Sequence, residues 1–432
     1  MTFLKYVGLT VGLLVALVLA LIGVLSITHD TPVNRVMAEG DVDGPPSVSD
    51  SLFPRSIELF TGTHLDVGNR VDVLVNGNAT YPPLWKDLSR AQHTITVQMY
   101  YSQPGAVADS LGKYLAERAR AKVRVLLLLD AFGSQPLKPE WRQNLKKAGV
   151  EVVWLRPLRW YSLNKAAQRS HVRAVVIDGR IGYTGGFGLA DYWLGDGHHK
   201  DQWRETNVRF EGPTVSQLQA TFAAGWAEAT GELLTGDLFF PGAAFASVGN
   251  VDAGLMHSIP STGSTPAERF LALSIAGAQK RLYISNSYFV PGENFMQLLL
   301  AAARRGVDVR VLTVSKNTDV KTTWYAGRTY YEMLLAGGVR IYEYQPTMMH
   351  AKTMVVDGLW SEVGSMNFDN RSLSFNNESL LLALDRGVGA QMDSLFLDDI
   401  KYSEEIKLDT FRKRPLTEKI IEWGAQKLRR VL

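Results

Sequence analysis

The chain has no cysteine in 432 residues. That absence excludes disulfides, thiolate zinc sites and cysteine nucleophiles, and it is compatible with either side of a membrane. Net charge is also scarce. Forty-six Lys and Arg against 43 Asp and Glu leave +3, too small a basic excess to point to nucleic acid. Low-complexity tracts are few. With 46% hydrophobic residues, the composition is that of a well-packed globular protein long enough for two or three domains.

Charge is missing altogether from residues 6–27, which are rich in Leu and Val. Such a run is long enough to cross a hydrocarbon core as a helix, and no clear small-x-small cleavage site follows it. A retained transmembrane anchor is therefore expected over 1–28, in preference to a cleaved signal peptide. Lys5 precedes the run, while Glu39, Asp41 and Asp43 follow it with only Arg35 opposing. This bias puts the N-terminus in the cytoplasm and the bulk of the chain on the non-cytoplasmic side. An irregular linker containing Gly44-Pro45-Pro46 is expected over 29–68.

What organises the rest is a motif that occurs twice. Residues 350–357 read HAKTMVVD and residues 171–178 read HVRAVVID. Each has the form His-x-Lys/Arg-x-x-x-x-Asp, each is followed by Gly, and the offset is 179 at the His, at the Asp and from Gly186 to Ser365. Alternation along a strand puts His350 and Lys352 on one face. Asp357-Gly358 signals a hairpin, whose second strand leads to Ser365 and Asn367. Glu378 lies close enough in sequence to return beside this group. Asp178 and Asp357 read as structural, since an Asp before Gly in a hairpin commonly binds backbone amides.

The flanking sequence repeats as well. In the first half, strands are expected over 71–75, 95–99, 123–130 and 150–155, with a turn at Asn76-Gly77 and helices near 110–120 and 141–147. The second half shows the same order, with 309–312 (VRVL) matching 123–126 (VRVL). Buried strands alternating with helices imply an α/β class, with a first lobe at 69–245 and a second at 246–405. Each His hairpin supplies half of a site, so a pseudo-twofold with the two hairpins facing across the lobe interface is the economical arrangement. The tail, 406–432, is basic: seven Lys/Arg and two Glu lie within 412–432. Ile420, Ile421, Gly424, Leu428 and Val431 share one helical face. Such a helix can lie on an anionic membrane, or pack on its own domain with a solvated basic face.

The paired motifs resemble those of the phospholipase D superfamily. Tyr288-Phe289-Val290-Pro291, Arg305-Gly306-Val307-Asp308-Val309, the stretch from Gly364 to Ser372 and Trp203-Arg204-Glu205-Thr206 are similar to bacterial cardiolipin synthases. The resemblance covers about 69–399. It implies two phospholipase D-type α/β sandwich lobes and a phosphatidyltransferase anchored in the bacterial inner membrane by a single span. One of His171 and His350 would attack phosphorus to form a phosphohistidine, while the other protonates the leaving alcohol. Arg173, Lys352 and Asn367 would donate to the phosphate oxygens. By resemblance Glu205 and Glu378 orient the two imidazoles, and the expected pairing is Glu378 with His350 and Glu205 with His171. No metal or cofactor is implied. His198-His199, adjacent in a Gly-rich loop, reads as surface.

The expected partners are the membrane and phospholipids such as phosphatidylglycerol; the anchor and the near-neutral charge favour lipid over nucleic acid. A hydrolase (phospholipase D or nuclease) and a weakened lipid-binding protein are the alternatives. The first half departs from the pattern: Arg173 replaces Lys, Gly188 replaces Asn and Gly186 stands at the Ser365 position. Arg is planar and larger than Lys, so the two glycines are expected to make room for it, and Gly188→Asn to restore part of the activity that Arg173→Lys loses.

Overall fold

Residues 6–8, 10–17, 20, 32–37, 46–157, 168–261 and 263–428 are described by the computed structural model of the chain. The first half contributes β1 (Asp66–Val75), β2 (Thr94–Met99), β3 (Arg124–Asp130), β4 (Glu151–Leu155), β5 (Ala174–Ile177), β6 (Ile181–Gly185) and β7 (Thr206–Glu211). The second contributes β8 (Val251–Ser258), β9 (Arg281–Asn286), β10 (Asp308–Val314), β11 (Arg340–Tyr344), β12 (Lys352–Val356), β13 (Trp360–Gly364) and β14 (Glu378–Leu384), followed by β15 (Ser403–Ile406).

The strands are hydrogen-bonded in the order β15-β11-β10-β9-β12-β13-β14-β8-β1-β7-β6-β5-β2-β3-β4. From the β8–β1 seam outward, the same positions recur on either side: β14 and β7, β13 and β6, β12 and β5, β9 and β2, β10 and β3, β11 and β4. This palindrome is the duplication written as topology. Each half has a parallel trio, β2-β3-β4 or β9-β10-β11, joined to an antiparallel set. The parallel strands need both faces covered, and the apolar run Val125–Leu129 of β3 is buried throughout. The helices Ala106–Arg120 and Val215–Thr230 both pack against the first half's sheet.

Each half has its own core. A third apolar cluster lies between them and brings Val172, Val176 and Phe210 against Val355, Val363 and Leu381. The lobes are thus joined through packed sheet faces as well as through one strand pair.

The hairpin aspartates act on backbone, as their sequence context suggests. Asp178 accepts from the amides of Gln92, His93 and Thr94, and Asp357 from those of Gln279, Lys280 and Arg281, at 2.7–3.2 Å. Each therefore ties its hairpin to the start of the neighbouring strand, β2 or β9. Both aspartates adopt a left-handed backbone, φ 52° and 55°, which Asp tolerates better than most residues.

Three expectations fare differently. Asn76-Gly77, expected as a turn, opens a helix. Asn76 is left-handed as an Asn-Gly signal suggests (φ 59°), but the chain continues into the helix Asn76–Arg90, which contains Pro82 and Pro83. The expected linker, 29–68, contains the helix Leu52–Thr61, whose Phe53 and Ile57 are buried in the second lobe's core, with Phe53 edge-on to Trp360 at 5.2 Å. Most of the expected anchor, 1–28, lies outside the described residues. Residues 6–8, 10–17 and 20 are helical and exposed, and among the described residues no helix is long and apolar enough to cross a membrane.

A buried ion pair spans the two lobes. Arg204, from the loop before β7, makes two 2.8 Å bonds to Asp399 at the end of the helix Arg386–Asp399. Arg204 is 2% exposed and Asp399 7%, so removing one partner strands a buried charge. Asp399→Ala is expected to cost about 3–5 kcal/mol of unfolding free energy by chemical denaturation; a loss of the size of a surface substitution, about 0.5 kcal/mol, would contradict the interface role of this pair.

Candidate active site

Each histidine sits just before its hairpin strand and bonds through its backbone to the opposite lobe. The amide of His171 donates to the Asn377 carbonyl at 2.8 Å, and that of His350 to the Arg204 carbonyl at 2.7 Å. Isolated bridges Ser170–Asn377 and Arg204–Met349 mark the same two crossings. The next residues along the partner segments are Glu378 and Glu205. The carboxylates consequently meet the imidazole of the other lobe. His171 Nδ1 lies 2.9 and 3.1 Å from the two Glu378 oxygens, and His350 Nδ1 lies 2.5 Å from Glu205 Oε2. This corrects the expected pairing within each half. Proximity in sequence misleads because the segment leading into β14, and its counterpart before β7, crosses the interface before its strand begins.

The two carboxylates are held differently. Glu378 accepts from Ser365 Oγ at 2.5 Å, and burial pushes it up to about 7. Glu205 accepts from Trp193 Nε1 at 3.1 Å and from the Thr206 amide at 3.0 Å, and burial raises it also. Asn76 clamps the Glu205 backbone from both sides: its Oδ1 accepts from the Glu205 amide and its own amide donates to the Glu205 carbonyl, each at 2.9 Å. The left-handed turn that opens the helix Asn76–Arg90 is thus where the first lobe grips its carboxylate.

Both imidazoles lie below the ordinary value of 6.5. Burial is the main cause, and the positive charges of Arg173 and Lys352 add to it. With Nδ1 occupied by a carboxylate, the free ring nitrogen of each is Nε2. Both rings line one cleft of about 330 Å³, with Arg173, Asn367, Trp203 and Tyr288 among its other walls. Arg173 Nε donates to the Phe187 carbonyl and Nη1 to the His171 carbonyl. Lys352 Nζ donates to Ser287 Oγ and to the His350 carbonyl, and burial lowers it to about 7. The two cations therefore occupy equivalent places, each bonded to the carbonyl of its own histidine. Lys352 is fully buried and is not among the cleft-lining side chains. Asn367 lines the cleft and is 6% exposed; its Oδ1 is buried and has no hydrogen-bond partner.

Aromatic rings make the two half-sites unequal. Trp203 stacks on His350 at 4.9 Å and Trp193 meets it edge-on at 5.3 Å, whereas His171 has Tyr100 edge-on at 5.0 Å. The space beside Gly186 is filled by the Glu205 carboxylate and that beside Gly188 by Trp193 and the Tyr101 carbonyl, so the nearest atoms are not those of the Arg173 guanidinium. A Cβ on Gly186 would come within 2.5 Å of both Glu205 oxygens, and one on Gly188 would come within 2.9 Å of the Trp193 ring and the Tyr101 carbonyl. Trp193 thus takes the place of both missing polar groups. Its indole N–H bonds the carboxylate as the Ser365 hydroxyl does in the other half, and its ring occupies the Asn position. The expected compensation between Arg173 and the glycines is corrected accordingly.

Trp193, Asn76, Ser287 and Tyr100 carry no mark in the repeat that singles them out. Trp203 and Arg204 stand in the stretch Trp203-Arg204-Glu205-Thr206 that carries the resemblance, and that stretch and Asn376-Asn377-Glu378-Ser379 share an offset of 173 and a hydroxyl residue after Glu. His198 and His199 are exposed and outside the cleft walls.

Comparison with known proteins gives a consistent picture. A family model described as cardiolipin synthase, PLD-like domain, matches residues 84–226 and 271–400. A cardiolipin synthase of Geobacillus sp. is 34% identical over 353 residues, covering 81% of this chain and 70% of the relative. Cardiolipin synthase A of Pseudomonas putida is 30% identical over 401 residues, covering 89% and 82%. Among solved structures, a phosphatidylserine synthase of Haemophilus influenzae superposes with a TM-score of 0.64 at 12% identity, over 88% of this chain and all of that one. A polyphosphate kinase of Porphyromonas gingivalis superposes with a TM-score of 0.53 at 12% identity, over 83% and 52%. At that identity the two structures speak for the fold alone.

The filled space behind the first half-site has a measurable consequence. Gly188→Asn must displace Trp193 or the chain at Tyr101, and overpacking of this kind costs about 1–3 kcal/mol. The variant is expected to unfold earlier in denaturant, and to lower turnover in the Arg173→Lys background. A Gly188→Asn variant that raises the rate there, at wild-type stability, would restore the compensation idea.

Proposed function

The chain belongs to the cardiolipin synthase, PLD-like domain family, and from that premise we propose that it is a phosphatidyltransferase working through a covalent phosphohistidine. The observation that carries the reading is the pair of crossed His–Glu contacts whose free Nε2 atoms belong to one cleft. In the first step one Nε2 lone pair forms a bond to the phosphorus of a phosphatidylglycerol, and the bond from phosphorus to the glycerol oxygen breaks. The other imidazole gives that oxygen its proton, and glycerol leaves. In the second step the same imidazole, now neutral, takes the proton of a glycerol hydroxyl on a second phosphatidylglycerol. That oxygen attacks phosphorus, the P–N bond breaks, and the product is cardiolipin. Glu205 and Glu378 hold Nδ1–H and stabilise the imidazolium when it forms.

The anionic oxygens need donors fixed in advance. Arg173 lines the cleft and spends two of its five N–H groups on carbonyls, while Lys352, buried behind the wall and bonded to Ser287 and the His350 carbonyl, acts through its charge. Asn367 adds a carboxamide. Water as acceptor gives the hydrolase alternative from the same intermediate. The membrane reading, with 1–28 as a single-pass anchor and the lobes on the non-cytoplasmic side, belongs to this proposal and rests on the charge-free run and its flanking charges.

The direct test is the full chain in vesicles of phosphatidylglycerol. Cardiolipin and glycerol in equal amounts are expected, with a phosphatidyl adduct on His171 or His350 detected by mass spectrometry in samples quenched with denaturant at neutral pH, which spares the acid-labile P–N bond. Phosphatidic acid as the main product would favour hydrolysis, and loss of neither activity nor adduct in His171→Ala and His350→Ala would remove the mechanism.

The electrostatics give a second expectation. The free imidazoles are lowered by burial and by Arg173 and Lys352, so both are neutral at pH 7. A phosphodiester anion offsets those cations and raises an imidazole, so the general acid gains its proton when substrate binds. Calorimetry with a non-reacting phosphodiester in buffers of different ionisation enthalpy should show net proton uptake near pH 7, and the acid limb of kcat/KM should fall below 6.5. No uptake, together with an acid limb above 6.5, would contradict this sign.

A further inference from the structure

The C-terminal helix Leu416–Lys427 is turned the opposite way from an ordinary surface helix. Its charged residue Glu422 is buried, 1% exposed, beside Ala425 at 7%, while Leu416 is 71% exposed, Trp423 62%, Ile420 59% and Ile421 48%. Polar contacts fix this orientation. Glu422 accepts from Arg328 Nε at 3.0 Å and from Arg414 Nε and Nη2 at 2.9 and 2.8 Å, and Arg328 also reaches Glu418 and Glu343. Arg328 and Arg414 both stack over Phe411. The network pins the helix by its charged face and leaves the apolar face outward, where no other described element covers it.

Three observations point to one occupant of that face. The first is charge: the Lys427 ammonium lies 5.1 Å from the exposed Trp423 ring, while the helix's two acidic side chains, Glu418 and Glu422, are spent on Arg328. The second is the path of the chain. Pro32 and Asn34, which follow the charge-free N-terminal run, line a groove of about 490 Å³ together with Gln426 of this helix and the exposed Met333. Val33 is tied there by a 3.2 Å bond from Asn294 to its carbonyl. The segment expected to lead out of a membrane thus passes beside this helix, at Gln426. The third is the cleft: the helix packs on Lys321–Arg328, which begins directly after Val320 in the cleft wall and ends at the Arg328 that holds Glu422. Eight helical residues span roughly 12 Å, so the apolar face and the cleft lie on neighbouring parts of the second lobe.

We propose that the exposed face of Leu416–Lys427 seats on an anionic lipid bilayer and brings the mouth of the cleft to its surface. Apolar side chains with basic neighbours are the composition that binds such an interface, through buried apolar area plus attraction to acidic headgroups. The choice of a bilayer draws on the lipid-substrate reading, but the docking itself can be tested without turnover.

The absence of native cysteine makes the test clean. Ile420→Cys in the full chain carries an environment-sensitive fluorophore as its only label, and Lys147→Cys, on the first lobe's helix Pro139–Lys147, serves as control. The two are compared in detergent, in phosphatidylcholine vesicles and in phosphatidylglycerol vesicles containing a spin-labelled lipid. The proposal expects a blue shift and several-fold stronger quenching at position 420 in phosphatidylglycerol, with position 147 unchanged. It is overturned by an unshifted label, by equal effects in phosphatidylcholine, or by a shift that follows protein concentration without lipid, which would identify a second copy of the chain as the occupant. A functional arm separates this from failure of the proposed activity. Ile420→Asp with Trp423→Asp should lower turnover several-fold on phosphatidylglycerol vesicles and leave turnover on short-chain lipid dispersed in detergent unchanged. Equal losses on both substrates would overturn the docking role, and absence of activity in the unaltered chain on both would fault the proposed function while the label result still stands.

Discussion

Two backbone hydrogen bonds carry the architecture of the site: His171 to the Asn377 carbonyl and His350 to the Arg204 carbonyl. Each ties the strand that bears a histidine to the segment that bears the other lobe's glutamate. Neither lobe holds a complete His–Glu pair. The palindromic strand order, the apolar cluster between the sheet faces and the Arg204–Asp399 ion pair all keep these two crossings in place. A duplicated half-site that must dock with its twin to assemble a carboxylate–imidazole pair gives selection a reason to keep both copies in one chain.

The twofold is broken at the carboxylates. Ser365 and Trp193 do the same bonding job for Glu378 and Glu205, yet one is a small hydroxyl and the other a large ring. The ring also crowds His350, which sits between Trp193 and Trp203, whereas among the described residues the ring contact of His171 is with Tyr100. Reactions that use one imidazole as nucleophile and the other as acid gain from such inequality, because two identical imidazoles would compete for the same proton.

Much of the site was legible in the sequence because the repeat fixed it. His171, His350, the two cationic partners and the two hairpin aspartates fall where their motif spacing put them, and the matching apolar runs at 123–126 and 309–312 contribute to the strands β3 and β10. What was not legible is three-dimensional. The exchange of glutamates between lobes depends on where a segment crosses the interface, which no local spacing encodes. Asn76-Gly77 carries a true left-handed signal, but whether a hairpin or a helix follows it depends on the Glu205 backbone that Asn76 holds, 129 residues away. The role of Trp193 depends on the volume that Gly188 vacates, and glycine in a sequence does not say what fills the space it leaves. The tail's apolar residues were visible as one helical face, yet only the Arg328–Glu422–Arg414 network shows that this face is the one left outward.

The crossed pairing is the central claim, and double-mutant cycles on stability address it most directly. Glu378→Gln and Glu205→Gln are each combined with His171→Ala and with His350→Ala, and unfolding free energies are measured by chemical denaturation. Groups in direct contact couple by about 0.5–3 kcal/mol, and separated ones add within about 0.5 kcal/mol. The account predicts coupling for Glu378 with His171 and for Glu205 with His350, and near-additivity for the two other combinations. Coupling of Glu378 with His350 and of Glu205 with His171 would contradict it.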